Sequence, residues 1–252
     1  MIILKSAREI ENIRRGGEIV GKILMELRNY VKPGISTLEL DQLAEKLTGQ
    51  FQVKPAFRGY KGYKHCLCTS INDEVVHGIP SPKRFLKEGD IIGLDFGVIY
   101  EGYCSDAAIT VGIGKISDEA QRLIRVTEEA LWQGIAEMRP KNRLFDISHA
   151  VQKHVEQNGF SVVRQFVGHG IGQSLHEDPA IPNYGDPRTG IELKAGMVFA
   201  IEPMVNAGGA EVRILNDGWT AVTIDGGLSA HFEHTIAISE EGHSVLTGAS
   251  PR

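Results

Sequence analysis

The chain has 252 residues, 42% hydrophobic and 23% charged, an ordinary globular composition able to bury roughly three quarters of its unfolded surface. Its formal charge of -5 argues against a surface built to wrap nucleic acid. The short apolar start at Met1-Ile2-Ile3-Leu4 is no signal peptide, no later stretch reads as a membrane span, and the three cysteines (Cys66, Cys68, Cys104) lack disulfide or zinc-finger spacing, so a cytoplasmic location is expected.

Ser6 with Glu9 has the capping-box pattern that opens a helix. Ile10, Ile13, Gly17, Val20, Leu24, Leu27 and Val31 follow at alternating steps of three and four and mark its buried face, until Pro33-Gly34 ends it. Ser36 with Glu39 repeats the pattern ahead of Leu40, Leu43, Ala44 and Leu47. From about 51 to 111 strand and turn signals dominate, with strands clearest at 91–96 and 107–111 and a hairpin turn at Tyr100-Glu101-Gly102. Two more helices are predicted at 117–138, stopped by Pro140, and at 144–157, ended by Asn158-Gly159. Strands are expected at 162–167, 198–201, 212–215, 221–224 and 232–238.

This order repeats. Residues 86–95 (LKEGDIIGLD) align with 193–202 (LKAGMVFAIE) at an offset of 107, which also sets Pro33 on Pro140 and Glu39 on Asp146. Residues 106–111 resemble 233–238 at an offset of 127, the difference being an insertion of about 20 residues that contains Asn216-Asp217-Gly218. The chain therefore reads as one α+β domain of two halves, about 1–114 and 115–252, related by a pseudo-two-fold axis.

The repeat sets Asp95 on Glu202 and Asp106 on Glu233, each inside an apolar strand. Asp95 and Asp106 flank the hairpin turn and are expected to face each other, where like charges repel. Edge strands with their acids in water would explain one such residue, but four at repeat-related positions point to bound cations. Four carboxylates suit two divalent ions, and an oxygen-rich site with one imidazole suits Mn, Fe or Co, with Zn also compatible. His77, His169 and His176 stand among glycines at strand ends, where backbone can approach a ligand, unlike His65, His149, His154 and His243. The GxGxG run at 168–172 is not a phosphate loop, and neither a nucleophile elbow nor HExxH occurs.

The segments Asn72-Asp73-Glu74-Val75-Val76-His77-Gly78-Ile79-Pro80, Asp95 with Asp106-Ala107-Ala108, Gly168-His169-Gly170-Ile171-Gly172, Glu202-Pro203 and Phe232-Glu233-His234-Thr235 resemble the bacterial type I methionine aminopeptidases over nearly the whole chain. The resemblance implies a duplicated "pita-bread" fold, with a curved antiparallel central sheet and helices on its outer face. It implies removal of the N-terminal methionine from nascent proteins and peptides with a small second residue, by a hydroxide bridging two cations. Asp95, Asp106, His169, Glu202 and Glu233 would be the metal ligands, Asp106 and Glu233 bridging. His77 and His176 would contact substrate, His176 stabilising the tetrahedral intermediate, and Glu202 would carry the proton. The methionine pocket would be lined by Phe57, Tyr60, Tyr63, Cys68, Leu175 and Trp219, with Phe57 where cysteine is usual and Leu175 where phenylalanine is usual. Asn72, Glu74 and Ser229 match positions that offer oxygens to a monovalent cation. A monomer without the extra domain of prolidases is expected. Lys54, Arg58, Lys61 and Lys64, interleaved with Tyr60 and Tyr63, read first as a solvated loop face and second as a ribosome-docking rim.

Overall fold

A computed structural model describes residues 2–248; Met1, first of the apolar start, and residues 249–252 lie outside the described residues. Both capping boxes form. The Ser6 hydroxyl accepts from the Glu9 backbone N–H (3.4 Å) while the Glu9 carboxylate accepts from the Ser6 N–H (2.7 Å), opening α1 (Ala7–Tyr30). The same exchange between Ser36 and Glu39 opens α2 (Thr37–Phe51). The stripe on α1 is buried from Ile13 to Leu27, with Ile10 and Val31 half-buried at its ends. A side chain at Gly17 would overlap the Leu246 carbonyl, so α1 packs this closely only with glycine there. Ser117 caps α3 (Asp118–Ala136), and Asp146 accepts from the Arg143 N–H to start α4 (Leu144–Gln157).

The strands of the first half are β1 (Lys54–Pro55), β2 (Leu67–Ile71), β3 (Glu74–Val76), β4 (Ile91–Tyr100) and β5 (Tyr103–Gly112). Those that follow are β6 (Ser161–Val162), β7 (Gly168–Gly170), β8 (Glu177–Ile181), β9 (Val198–Ile201), β10 (Met204–Asn206), β11 (Val212–Ile214), β12 (Ala221–Thr223), β13 (Ser229–His231), β14 (His234–Ser239) and β15 (Gly242–Val245). Among the described residues every ladder is antiparallel. One sheet runs β1-β4-β2 with β5 on β4; a second runs β15-β14-β9-β7-β8; two three-stranded sheets, β13-β10-β6 and β11-β12-β3, flank them. Helices α1 and α2 cover the first sheet through Val20, Leu24, Leu40, Leu94 and Phe96. Helices α3 and α4 bury Leu131, Ile135 and Ile147 against Phe199 and Ile236 of the second. Among the described residues no helix is long and apolar enough to cross a membrane.

The two large sheets meet at a narrow seam. Ala108 and Glu233 exchange backbone hydrogen bonds of 3.2 and 2.9 Å. On either side a threonine hydroxyl takes over from the backbone. Thr235 Oγ1 accepts from the Asp106 N–H (3.1 Å) and donates to the Asp106 carbonyl (2.8 Å). Thr110 Oγ1 likewise accepts from the His231 N–H (2.9 Å) and donates to the His231 carbonyl (2.8 Å).

Three expectations need correction. Tyr100 pairs with Tyr103 across a two-residue turn, Glu101-Gly102, both at positive φ (49° and 83°). Asp95 therefore faces Ala108 and Asp106 faces Gly97, so the two acids are diagonal neighbours on one face rather than directly opposed. The repeat shifts too: Gly93 faces Thr110, and Ala200, 107 positions on, faces Thr235, 125 positions beyond Thr110. At the seam Glu233 thus corresponds to Ala108, and Asp106 to His231. A shift of two leaves every side chain on its original face, which is why apolar alternation could not tell 125 from 127. Finally, the strand expected at 162–167 stops at Val162; beyond it Arg164 and Gln165 are exposed and Phe166 turns its ring to His77.

Candidate metal centre and pocket

The five expected ligands converge on the seam. Asp106, His169 and Glu233 are buried with ligand atoms within 4.8 Å of one another. Asp95 lines the same cavity as Asp106, and Glu202, one step beyond the end of β9, lies with Oε1 3.5 Å from His169 Nε2. Asp95 Oδ1, Asp106 Oδ1 and Glu233 Oε1 are buried with no hydrogen-bond partner. Each such orphan costs about 1–3 kcal/mol, and more when charged. Burial first, and then the neighbouring acids, hold Asp95, Glu202 and Glu233 well above the usual carboxylate range. Burial pushes Asp106 up to about 7, although the Ala107 backbone favours its ionised form. A cluster this unfavourable when ionised is relieved by cations, and its hard oxygens with one imidazole fit divalent transition metals. A candidate metal centre is the reading these orphaned atoms require.

His169 is prepared as a ligand. Its Nδ1–H donates to the Gly170 carbonyl (2.9 Å), which leaves the Nε2 lone pair facing the acids. Burial, followed by the adjacent His176, pushes it down to about 3, so the ring is neutral. Burial likewise takes His77 and His176 down to about 4. His176 lies between Tyr60 (5.1 Å) and His169 (4.2 Å), and His77, held at a left-handed φ of 61°, meets Phe166 and Trp219 edge-on. A non-glycine residue there is strained, as is common where a side chain is aimed at a ligand.

Above the acids a cavity of about 150 Å³ is walled by Phe57, Tyr60, Tyr63, Cys68, Leu175 and Trp219, the whole expected set, with Lys61 at its edge. The Tyr63 hydroxyl is occupied by the Leu67 carbonyl (2.9 Å), and burial followed by Asp95 raises the Cys68 thiol, so neither is a reacting group. The wall is apolar and its floor is acidic. The Asn72 carbonyl accepts from the Ser229 N–H (2.8 Å), whereas the Glu74 carboxylate is engaged by Ile71 N–H and Arg84. Arg58 is ion-paired with Glu45 at 2.6 Å.

One residue was missed. His231 is buried, with Nε2 3.6 Å from Glu202 Oε2. The signal was available: it lies two positions before Glu233, the spacing that sets side chains of extended backbone on one face.

The metallopeptidase family M24 model matches residues 11–240. Over 247 residues the chain is 53% identical to methionine aminopeptidase 1 of Bacillus subtilis and 52% identical to the methionine aminopeptidase of Clostridium perfringens, covering 98% of this chain and 99% of each relative. The crystal structure of methionine aminopeptidase from Thermotoga maritima superposes with a TM-score of 0.97 at 47% identity, covering 98% of this chain and all of that one. Prolidase from Pyrococcus furiosus, at 24% identity and a TM-score of 0.80, shares the fold over 66% of its length. The expected pita-bread architecture is shared with both solved structures. With about half of its residues shared across nearly the full length of such relatives, the chain belongs to the methionine aminopeptidases of metallopeptidase family M24.

Proposed function

We propose that this single catalytic domain, built of halves at about 1–114 and 115–252, cleaves the N-terminal methionine from peptides and nascent chains with the help of two divalent cations. The observation that carries this reading is the set of orphaned acid oxygens under a methionine-sized apolar cavity. Asp95, Asp106, His169, Glu202 and Glu233 would hold Mn, Fe, Co or Zn, with Asp106 and Glu233 shared. When bound, such ions lower the pKa of water and polarise a carbonyl.

The chain's own groups do the rest. The apolar wall takes the methionine side chain, whose flexible thioether suits aromatic edges. His77 and His176, neutral at physiological pH, offer N–H donors to the substrate, and Glu202, half-buried at the cavity floor, carries a proton to the departing amine. The rings of Tyr60, His77, His176 and Trp219 crowd the lining of the cavity, which favours a small second residue. On this reading the enzyme works in the cytoplasm as a monomer, and Asn72, Glu74 and Ser229 offer oxygens to a monovalent cation. Ribosome docking draws its support from exposed Lys61 and Lys64, since Arg58 is already paired.

Stripping metal with chelator and titrating Mn(II), Co(II), Fe(II) or Zn(II) back anaerobically tests the whole. Turnover of Met-Ala-Ser should return with metal while X-Pro peptides stay uncut; cleavage of X-Pro, or of Met-Ala-Ser without metal, rejects the reading.

Phe57 and Leu175 are both buried and belong to one apolar cluster. Moving bulk from one wall to the other conserves volume and keeps methionine selectivity. Leu175→Phe alone should weaken a rigid methionine-mimic inhibitor by about 1–3 kcal/mol through overpacking, and adding Phe57→Cys should restore it. Additive effects of the two substitutions on the inhibition constant would show the walls to be independent.

A further inference from the structure

His231 ends β13 with its backbone N–H and carbonyl both held by Thr110 Oγ1, a residue of the other half. Its ring is therefore aimed from a fixed point. Register at the seam makes it the counterpart of Asp106, so its side chain enters the site from the opposite half as Asp106 enters from the first. The ring nitrogen Nε2 is buried without a hydrogen-bond partner, 3.6 Å from Glu202 Oε2. The other oxygen of that carboxylate, Oε1, lies 3.5 Å from His169 Nε2.

Glu202 thus stands between two imidazoles of different character. His169 has given its proton-bearing Nδ1 to the Gly170 carbonyl, so the nitrogen it turns to the acids is a lone pair. His231 is under no such constraint at Nε2. Glu202 must be ionised to hold a cation. A lone pair at His231 Nε2 would then oppose the carboxylate, whereas an N–H would attract it, so ionised Glu202 selects the Nε2–H tautomer. A separation of 3.6 Å is beyond a hydrogen bond, so the contact requires the Glu202 side chain to turn toward the ring.

We infer that His231 is a positioning residue whose Nε2–H holds one oxygen of Glu202 and leaves the other free for metal and proton transfer. The inference rests on the proposed role of Glu202. His231, itself outside the ligand set, would keep Glu202 to one oxygen at the cation.

Purified wild-type protein, His231→Gln and His231→Ala are compared by Mn(II) calorimetry, Co(II) absorption and steady-state turnover of Met-Ala-Ser. Glutamine keeps an N–H donor at similar reach. The alanine variant should bind the weaker Mn(II) about 10–100-fold less tightly, the usual effect of losing a ligand's hydrogen-bond partner, and lose kcat with KM nearly unchanged. The glutamine variant should recover most of both. Three results overturn the idea: glutamine no better than alanine, wild-type affinity and kcat in alanine, or a Co(II) spectrum in glutamine reporting loss of an imidazole ligand. Should alanine fail to fold, glutamine alone decides: the inference stands on near-wild-type affinity and kcat with an unchanged Co(II) spectrum, and is overturned by loss of either or by loss of an imidazole signal. Failure of wild-type protein to cleave Met-Ala-Ser would instead reject the proposed function, because the affinity comparison stands apart from activity.

Discussion

Asp106→Asn should reduce Met-Ala-Ser turnover to background, and so should Asp95→Asn, while the metal-free Asp106→Asn protein becomes more stable than metal-free wild type at pH 8. The substitution keeps the shape of the side chain, and the Thr235 clamp on the Asp106 backbone is untouched, so the fold should survive. What is lost is a charge that exists to meet a cation. The stability gain follows from the direction of the shift. Asp106 is held at about 7, against roughly 3.9 for an unfolded aspartate, so the folded metal-free chain binds more protons than the unfolded one. Its contribution is present below the unfolded value and is lost as pH rises through about 7. Asparagine has no proton to lose, so its advantage over wild type should grow from pH 4 to pH 8 and vanish when saturating metal is supplied to wild type. Metal content, peptide turnover and melting curves in chelator measure all three. A variant with full metal and wild-type rate would remove Asp106 or Asp95 from the ligand set.

The second large effect is expected at His176. Among the described residues its ring is stacked on Tyr60 and tilted against His169, contacts that leave its N–H for the substrate. A donor aimed at charge that develops only in the transition state contributes about 2.7–4 kcal/mol in comparable sites. His176→Ala should therefore lower kcat about 10²–10³-fold with metal content unchanged. Burial, and then Lys61, push the ring down to about 4, so the ratio of wild-type to variant rates should be flat from pH 6 to 9. Loss of metal from the variant would make His176 a ligand, and a ratio that changes steeply in that range would mean that the imidazolium is the working form.

Helices were legible because their signals are local: both Ser-Glu capping boxes and the stripe from Ile13 to Leu27 depend on residues three or four apart. The acids were legible because a charge inside an apolar strand is conspicuous and recurred at Glu202. Register was not. It is set by a turn with Glu101 at positive φ, a conformation glutamate rarely marks, and the apolar alternation of β5 and β14 is blind to a slip of two. His231 was hidden for a related reason, since its importance depends on Glu202, 29 positions away and delivered by a different sheet. The segment at Phe166 has the pattern of a strand, but Val163 and Phe166 pack into a small apolar cluster with Val75, Val76 and Met204 rather than extending a ladder.

The threonine clamps carry one more consequence. Thr110 fixes the backbone of His231 and Thr235 fixes that of Asp106, the same contact made once in each direction. That reciprocity is the signature of an isologous interface, the kind found between identical subunits about a dyad. The chain is in effect a homodimer joined end to end, with its reaction chamber on the axis. Neither lobe owns the site: separated from its twin, each would keep its own acids yet lose the hydroxyl that seats one of its residues there, Thr235 for Asp106 and Thr110 for His231.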